Sequence, residues 1–251
     1  MLSIAFIGSG SKGNATLIKS SDTLIMIDDG LSKRRINEGL ALFNASISDI
    51  KAIFITHNHS DHIKGLEVLG DDLPIYAGVS TFPKGSKYTR IRPYKTIKIG
   101  SLAITPIGVS HDASNPLNYI IEDEDESLGY VTDTGYLSDK NLSLLENKTY
   151  YLLESNHDVS MELNSKRSKE LINRVLSDVG HLSNAASAGY ACKIIGSKTK
   201  AIYLGHISED CNTSECALNT YRRIFNKFGV DINSYQVIPT KQNEIVKGGS
   251  W

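Results

Sequence analysis

One short segment of the sequence concentrates residue types that bind metal ions. The chain has seven histidines, and three of them fall, with an aspartate, within the six residues "HNHSDH". His57 and His59 lie two positions apart at the end of a predicted strand, so alternation directs both imidazoles to the same side, where they can share a cation. Asp61 and His62 stand on the first turn of a predicted helix and point in different directions. They can therefore reach a second cation a few ångströms away.

Further residues of the same types follow predicted strands elsewhere in the chain. Four of them come directly after apolar runs and one opens a helical segment; they are His111, Asp133, His157, His206 and, at the helix, His181. Because the carboxyl ends of strands meet at one edge of an open sheet, we expect these side chains to converge. Imidazole and carboxylate suit zinc, manganese and iron, so the residue types leave the metal open.

The elements that must position these residues can be read from the hydrophobic pattern. Short apolar runs bounded by turn residues predict strands, and the pattern becomes mainly helical after residue 160. The clearest predicted strands are 2–8, 15–20, 23–28, 51–56 and 200–206, and the clearest predicted helices are 32–43, 61–70, 165–178, 183–197 and 213–229. Ser60 is expected to cap the helix that closes at Gly70. The pattern predicts a single α/β domain over 1–251, with two sheets packed face to face and helices outside.

Composition sets limits on the class of protein. No apolar stretch reaches the roughly 20 residues of a membrane span, and the start lacks the basic segment of a signal peptide, so we expect a soluble, cytoplasmic protein with no membrane partner. The cysteines have neither zinc-knuckle spacing nor disulfide density and are predicted to be reduced thiols. The acidic run "EDEDE" is predicted to be a solvated loop.

Two segments are candidates for binding nucleic acid. Residues 84–98 hold six basic residues and no acid, interleaved with tyrosines, although the net charge of the chain is −1. Lys87, Arg90 and Arg92 are the candidate phosphate contacts there, although a charge run is commonly just a solvated face. The turn "GSGSKGN" offers Ser11 and Asn14 to a phosphate. A strand follows it, so it is not a Walker loop, and a hairpin turn is the simpler interpretation.

The segment "HNHSDH", together with His111, Asp133 and His206, resembles the signature of the metallo-β-lactamase fold, a four-layer αββα sandwich. The resemblance implies two divalent metal ions, zinc or manganese. One would be held by His57, His59 and His111, the other by Asp61, His62 and His206. Asp133 would bridge the two ions. Asp28 in "IDDG" would belong to the first motif of the family and would support the ligands without binding a metal itself. Two such ions can share a hydroxide, which predicts hydrolysis, with Asp61 orienting the attacking oxygen.

The histidine in "GHLSNAASA", His181, resembles the additional histidine of the phosphodiesterase branch of this fold, including the tRNA 3′-processing enzymes. It would assist the departing oxygen, since a sugar alkoxide is a poor leaving group. Glu154 in "LLESNHD" matches the glutamate that orients this histidine, and Asp112 and His157 are expected to orient ligands from behind. The alternative is that His181 merely caps the helix that follows.

Eight blocks, from "GSGSKGNATLI" to "LGHISEDCN", resemble the bacterial YycJ/WalJ subfamily in order. The resemblance implies an exonuclease that degrades DNA from the 5′ end, with a link to DNA repair. Asp29 departs from the small residue usual before the glycine of "IDDG". Three alternatives remain open: an RNA-processing nuclease, a thioester or lactam hydrolase using the same metals, and a non-catalytic module in which metal holds the fold.

Overall fold

The computed structural model describes residues 1–69 and 73–251. Contacts divide the chain into two compact units. The first unit comprises Met1–Gly108, Ala113–Ser127 and Thr240–Trp251, and the second comprises Val109–Asp112 and Leu128–Pro239. The single domain stays a prediction, and the predicted helix end at Gly70 lies outside the described residues.

The strands and helices are short, as the sequence pattern predicts. The strands are β1 (Ser3–Gly8), β2 (Ala15–Ser20), β3 (Thr23–Ile27), β4 (Ile50–Ile55), β5 (Ile75–Gly78), β6 (Thr89–Ile91), β7 (Ile97–Ile99), β8 (Leu102–Gly108), β9 (Leu117–Glu122), β10 (Ser127–Val131), β11 (Tyr150–Glu154), β12 (Ala201–Gly205), β13 (Gln236–Pro239) and β14 (Val246–Gly249). The helices are α1 (Lys33–Ala41), α2 (Ser60–Ile63), α3 (Leu66–Leu69), α4 (Asp139–Leu145), α5 (Val159–Leu163), α6 (Lys169–Val175), α7 (Asn184–Ile194) and α8 (Ser214–Lys227). Short 3-10 turns lie at Ile47–Asp49 and Ile232–Ser234.

A sheet with the order β14-β1-β2-β3-β4-β5-β6 organises the first unit. The pairs from β14 to β3 are antiparallel, and those from β3 to β6 are parallel. Strand β4, "IKAIFI", is buried at every position except Lys51, the pattern of a parallel strand with both faces covered. The chain therefore leaves β4 toward His57 at the carboxyl edge of the parallel strands. The unit also contains the antiparallel run β7-β8-β9.

Helix α1 covers part of this sheet. Its buried residues Ile36, Gly39 and Leu40 follow helical spacing. Ile36 and Leu40 lie in one apolar cluster with Ile7 and Leu17 of the sheet. Burying this stripe anchors the helix, because helical propensity alone seldom stabilises so short a segment.

The acidic run "EDEDE" is not simply a solvated loop. Glu126 is buried and accepts a hydrogen bond of 2.7 Å from the main-chain N–H of Leu2. Asp123 accepts a hydrogen bond of 2.7 Å from the hydroxyl of Ser20. Two carboxylates of the run thus hold other segments of the first unit in place, which the charge pattern alone did not indicate.

Parallel strands β10-β11-β12-β13 form the centre of the second unit. Their carboxyl ends lie at one edge, so Asp133, Glu154 and His206 follow or end neighbouring strands there. Helices α7 and α8 pack together in this unit, and the hydroxyls of Ser187 and Tyr221 are 2.6 Å apart across them.

The cysteines agree with the prediction from composition that they are reduced thiols. Cys192, Cys211 and Cys216 are free thiols, and burial raises the pKa of each. Among the described residues, no helix combines the length and the apolar character that crossing a membrane requires.

Candidate metal centre

The histidine segment of the first unit, residues 56–62, begins where β4 ends. His59 is the N-cap of α2, and Ser60 is the first helical residue, so the prediction that Ser60 caps the helix is wrong by one position. The predicted continuous helix is divided into α2 and α3 around Gly65. Its main-chain N–H donates to the carbonyl of Asp29 at 2.8 Å, and a side chain at this glycine would collide with the Asp29 carboxylate.

The imidazoles of this segment lie against one another. The ring centroids of His57 and His59 are 4.5 Å apart, and those of His57 and His62 are 4.1 Å apart. One nitrogen of His57 also lies within 4.8 Å of one nitrogen of each neighbour. Three imidazoles this close, two of them buried, form a plausible set of donors for metal ions.

Asp28 and Thr56 fix the orientation of His62 from behind. The Nδ1 atom of His62 lies 2.7 Å from Oδ2 of Asp28, a carboxylate with no exposed surface. The N–H and the hydroxyl of Thr56 both donate to Asp28, and the same hydroxyl lies 3.0 Å from Nδ1 of His57. Burial raises the pKa of Asp28, and the contact with His62 opposes that shift. The role of Asp28 behind a metal ligand stays a prediction, and its contact with His62 is the arrangement that role requires.

Asn14 touches the other side of His62. Its side-chain amide lies 3.0 Å from Nε2 of His62 and 3.3 Å from Oδ2 of Asp61, and its main-chain N–H donates to the Asp61 carbonyl. The amide also closes its own turn through Gly10. These neighbours favour the tautomer in which His62 donates from Nδ1 and carries its lone pair on Nε2, the form that binds a metal.

The loop "IDDG" presses closely against this segment. A Cβ at Gly30 would overlap the carbonyl oxygen of Asp61, so only glycine fits. Beside it, both carboxylate oxygens of Asp29 are buried and lack a hydrogen-bond partner among the described residues. Burial, with a smaller contribution from the charge of Asp28, raises the pKa of Asp29 to about 7. Asp29, where a small residue is usual, is therefore a buried acid whose ionisation destabilises the folded state.

Glu154 is the centre of the cluster in the second unit. Its Oε1 atom lies 2.8 Å from Nδ1 of His181 and 3.1 Å from Nδ1 of His206. Its Oε2 atom accepts hydrogen bonds from the main-chain N–H groups of Thr134 and Leu182. Burial raises the pKa of Glu154, but these histidines outweigh it and hold the pKa at about 2. The carboxylate is thus ionised and fully engaged.

Asp133 joins the same cluster. Its Oδ1 atom lies 3.5 Å from Nδ1 of both His181 and His206. Single ligand atoms of Asp133, Glu154, His181 and His206 all lie within 4.8 Å of one another. His181 does not cap α7, because the cap is Ser183, whose hydroxyl accepts from the N–H of Ala186. That alternative for His181 is wrong.

His111 lies beside this cluster. Its ring centroid is 5.2 Å from that of His181, and its Nδ1 atom lies 3.2 Å from the Gly180 carbonyl. The carboxylate of Asp112 lies 3.3 Å from Nε2 of His111 and 3.3 Å from the guanidinium of Arg174. Burial lowers the pKa of His111 and so favours the neutral imidazole that a metal requires.

Other predicted site residues take different positions. His157 is buried, and its Nδ1 atom has no hydrogen-bond partner among the described residues, so no contact supports its predicted role in orienting a ligand. Ser11 is exposed on the turn between β1 and β2, which confirms the hairpin interpretation of "GSGSKGN". Asn14 is occupied within the unit as described above, an arrangement that differs from a free phosphate contact. Lys87, Arg90 and Arg92 are exposed, and their binding of nucleic acid stays a prediction.

Sequence reasoning missed two residues that support the clusters. Thr56 contacts Asp28, His57 and His62, and its position between an apolar strand and "HNHSDH" was the available signal. The amide of Asn156 donates to the carbonyl of His206 at 2.9 Å and lies 3.2 Å from its Nδ1 atom. This residue follows Glu154 by two positions, in the block "LLESNHD".

Three site residues have left-handed backbone conformations, which are uncommon outside glycine. The φ angles are 57° at Asp28, 51° at Asp133 and 52° at His206. Each comes within two residues after the end of a strand. Such strain concentrates at functional sites and supports assigning function to these strand ends.

The chain matches one known family along most of its length. The family model described as "Beta-lactamase superfamily domain" matches residues 24–207. This match defines the class of protein.

Individual relatives narrow the class. Exodeoxyribonuclease WalJ of Streptococcus pneumoniae is 37% identical over 252 residues, covering 94% of this chain and 94% of the relative. Exodeoxyribonuclease YycJ of Bacillus anthracis is 33% identical over 244 residues, covering 92% of each. The chain therefore belongs to the beta-lactamase superfamily and, within it, to the family of its WalJ and YycJ relatives.

A solved structure supports the fold. The metallo-β-lactamase fold protein YhfI from Bacillus subtilis aligns with a TM-score of 0.73 and 17% identity, covering 98% of this chain and 99% of that chain. The predicted metallo-β-lactamase fold, an α/β sandwich with two mixed sheets and helices, is confirmed. The chain is a hydrolase of this fold.

The donors in both units suit divalent metal ions. They are imidazoles and carboxylates, and His62 shows the arrangement typical of a metal ligand, with one ring nitrogen bound to a carboxylate. A soft, thiolate-rich donor set is absent from the described clusters, which favours zinc or a harder divalent ion.

Proposed function

We propose that the chain is a two-metal phosphodiesterase that removes nucleotides from the 5′ end of DNA. The two relatives named exodeoxyribonucleases support DNA as the substrate. The observation that carries the proposal is the contact of 2.8 Å between His181 and the buried Glu154. A histidine held in this way by an ionised carboxylate is suited to giving a proton to a leaving group.

The metal assignment follows the motif pattern. One zinc or manganese ion would bind His57, His59 and His111, and the second would bind Asp61, His62 and His206. Asp133 would be shared. Support comes from each unit separately: the imidazoles of "HNHSDH" lie in contact in the first, and Asp133 lies beside His206 in the second.

When bound, two divalent ions lower the pKa of water and offset the charge of the phosphate. Asp61 is proposed to orient the attacking water. His181 donates from Nδ1 to Glu154. As an imidazolium it would also carry a proton on Nε2, which the departing sugar oxygen would take up, leaving a neutral imidazole. A sugar alkoxide needs that proton, and general acid catalysis contributes about 10²- to 10⁴-fold to the rate.

The test compares wild type with His181→Ala on two substrates of different leaving group, each with zinc or manganese. On 5′-labelled single-stranded DNA the variant should lose about 10²- to 10⁴-fold in turnover. On a nitrophenyl ester of thymidine 5′-phosphate it should lose much less, because nitrophenolate leaves without a proton. Metal content measured by mass spectrometry should be unchanged in His181→Ala and reduced in His59→Ala, the matched control.

Several results would contradict the proposal. Equal losses on both substrates, or loss of metal in His181→Ala, would remove the role of this histidine as an acid. A 3′ label released before a 5′ label would reverse the polarity. Cleavage of RNA in preference to DNA would favour the RNA-processing alternative. Turnover of thioesters or lactams without cleavage of any strand would move the assignment to a small-molecule hydrolase.

A further inference from the structure

The loop between β5 and β6 forms an open pocket in the first unit that the catalytic proposal does not use. The cavity has a volume of about 570 Å³, and its walls include Val79, Phe82, Pro83, Lys84, Tyr88 and Arg90. Ligand pockets in proteins commonly have volumes of about 300 to 1,000 Å³. The cavity is therefore large enough for a nucleoside.

Aromatic side chains and a cation make up much of the wall. The rings of Phe82 and Tyr88 meet edge to face with centroids 5.1 Å apart. The guanidinium carbon of Arg90 lies 5.6 Å from the centre of the Tyr88 ring. Flat rings beside a guanidinium are the combination on which bases of single strands stack, because every base offers a π face.

The charge around the pocket selects for an anion. Residues 79–98 contain six lysines and arginines and no acidic residue, whereas the net charge of the whole chain is −1. Lys84 and Arg90 are exposed at the pocket itself. A pocket with aromatic rings in its wall and cations on its rim suits a ligand that is part aromatic and part phosphate.

The pocket also begins at the edge of the sheet where the histidine segment begins. Strands β4 and β5 are parallel neighbours, and Ile55 pairs with Ala77. The chain runs from Ile55 to His57 and from Ala77 to Val79, so both segments leave the sheet at the same edge. Neighbouring strands are about 4.8 Å apart, which places the start of the loop close to the histidines.

We propose that this pocket binds one unstacked base of a single DNA strand, with Lys84 and Arg90 contacting the phosphates on either side. The assignment of DNA rests on the proposed function. The pocket would hold the strand within the first unit, beside the histidine segment, and the base that enters it would be unpaired.

The test measures binding of full-length, metal-loaded protein to fluorescent single strands by anisotropy. The strands are oligothymidylate with phosphorothioate linkages and an abasic strand of equal length and charge. Wild type should bind the thymidine strand about tenfold more tightly than the abasic strand. Tyr88→Leu should remove that preference and leave the abasic affinity unchanged.

Two controls separate stacking from charge and from folding. Tyr88→Phe keeps the ring and removes a hydroxyl that is buried without a hydrogen-bond partner among the described residues, so it should fold well and bind as wild type. Lys98→Ala removes a charge from the same basic run outside the pocket and should change neither affinity more than about twofold. Phe82→Leu replaces Tyr88→Leu if the latter fails to fold.

The outcomes separate this inference from the proposed function. Equal affinity of wild type for both strands would contradict the proposed base-binding pocket. An equal loss of affinity for both strands in Tyr88→Leu would contradict it as well. If wild type degrades DNA while showing no base preference, the pocket is wrong and the nuclease assignment stands. If wild type neither binds nor cleaves DNA, both are wrong.

Discussion

Replacing Asp29 with alanine should stabilise the protein, and more so at higher pH. Both oxygens of this buried carboxylate lack hydrogen-bond partners among the described residues, and Asp28 lies next to it. An acid without partners should be ionised only at a cost to the folded state. The main-chain groups of Asp29, and not its side chain, form the hydrogen bonds to His62 and Gly65. The substitution should therefore leave the loop in place.

The sign and size follow from proton linkage. The pKa of Asp29 is raised from 3.8 to about 7 in the folded protein, so the folded state holds an extra proton between these values. Its stability must therefore fall as the pH rises from about 4 to about 7, and the loss is complete above 7. A shift of this size corresponds to about 4 kcal/mol. The void left by alanine should reduce the net gain by about 1 kcal/mol.

Urea unfolding of metal-free wild type and Asp29→Ala at pH 5, 6, 7 and 8 measures the effect. The difference in unfolding free energy should grow up to pH 7 and then remain constant. Glu67→Ala, which removes an exposed acid from α3, is the control, and its difference should not change with pH. A constant difference for Asp29→Ala, or a variant less stable than wild type at pH 8, would refute the reasoning.

Three further substitutions test single hydrogen-bonded groups. Asp28→Asn removes the charge of the carboxylate that orients His62 and replaces one of its acceptor oxygens with a donor. It should weaken metal affinity about 10- to 100-fold in a chelator competition, since such partners contribute that much elsewhere. Glu154→Gln should lower DNA turnover, because Glu154 holds His181. The pKa of Glu154 is lowered from 4.5 to about 2, so wild type should lose stability as the pH falls between these values. In acid unfolding the variant should lose less stability than wild type. Tyr119→Phe removes a buried donor to the main chain of β4 and should lower the unfolding free energy by about 1–3 kcal/mol in urea titrations.

The sequence predicts elements well where local pattern decides them. Strand β2 lies at the predicted 15–20, and β4 differs by one residue at each end, because apolar runs bounded by turn residues form these strands without outside help. The helix expected from Ser60 is instead two short helices, because Gly65 contacts Asp29 across the unit. Strands β5 and β6 were not predicted. β6 has three residues, two of them exposed, and pairing with a neighbour defines it more than its own pattern does.

The same division applies to the candidate site. The types of the ligands are local information, since "HNHSDH" is contiguous and strand ends can be located from the pattern. The contact of Asn14 with the ligand segment is not local information. It depends on the fold bringing the turn between β1 and β2 to Asp61, which lies 47 positions further along the chain. Hydrogen-bonding side chains far apart in sequence must be brought together by the fold before their role is visible.

The strained backbone at the strand ends limits the residue types that suit those positions. Left-handed conformations at Asp28, Asp133 and His206 cost about 1–3 kcal/mol each, and asparagine, aspartate and histidine bear them better than most residues. The surrounding hydrogen bonds offset this cost: the N–H of Asp28 donates to the Phe54 carbonyl, and the carbonyl of His206 accepts from Asn156. Residues with candidate metal-binding or supporting side chains thus lie where the backbone takes a left-handed conformation after a strand. The left-handed backbone and the requirement for imidazole or carboxylate groups both favour aspartate and histidine at these positions. This accounts for the location of the predicted site at strand ends.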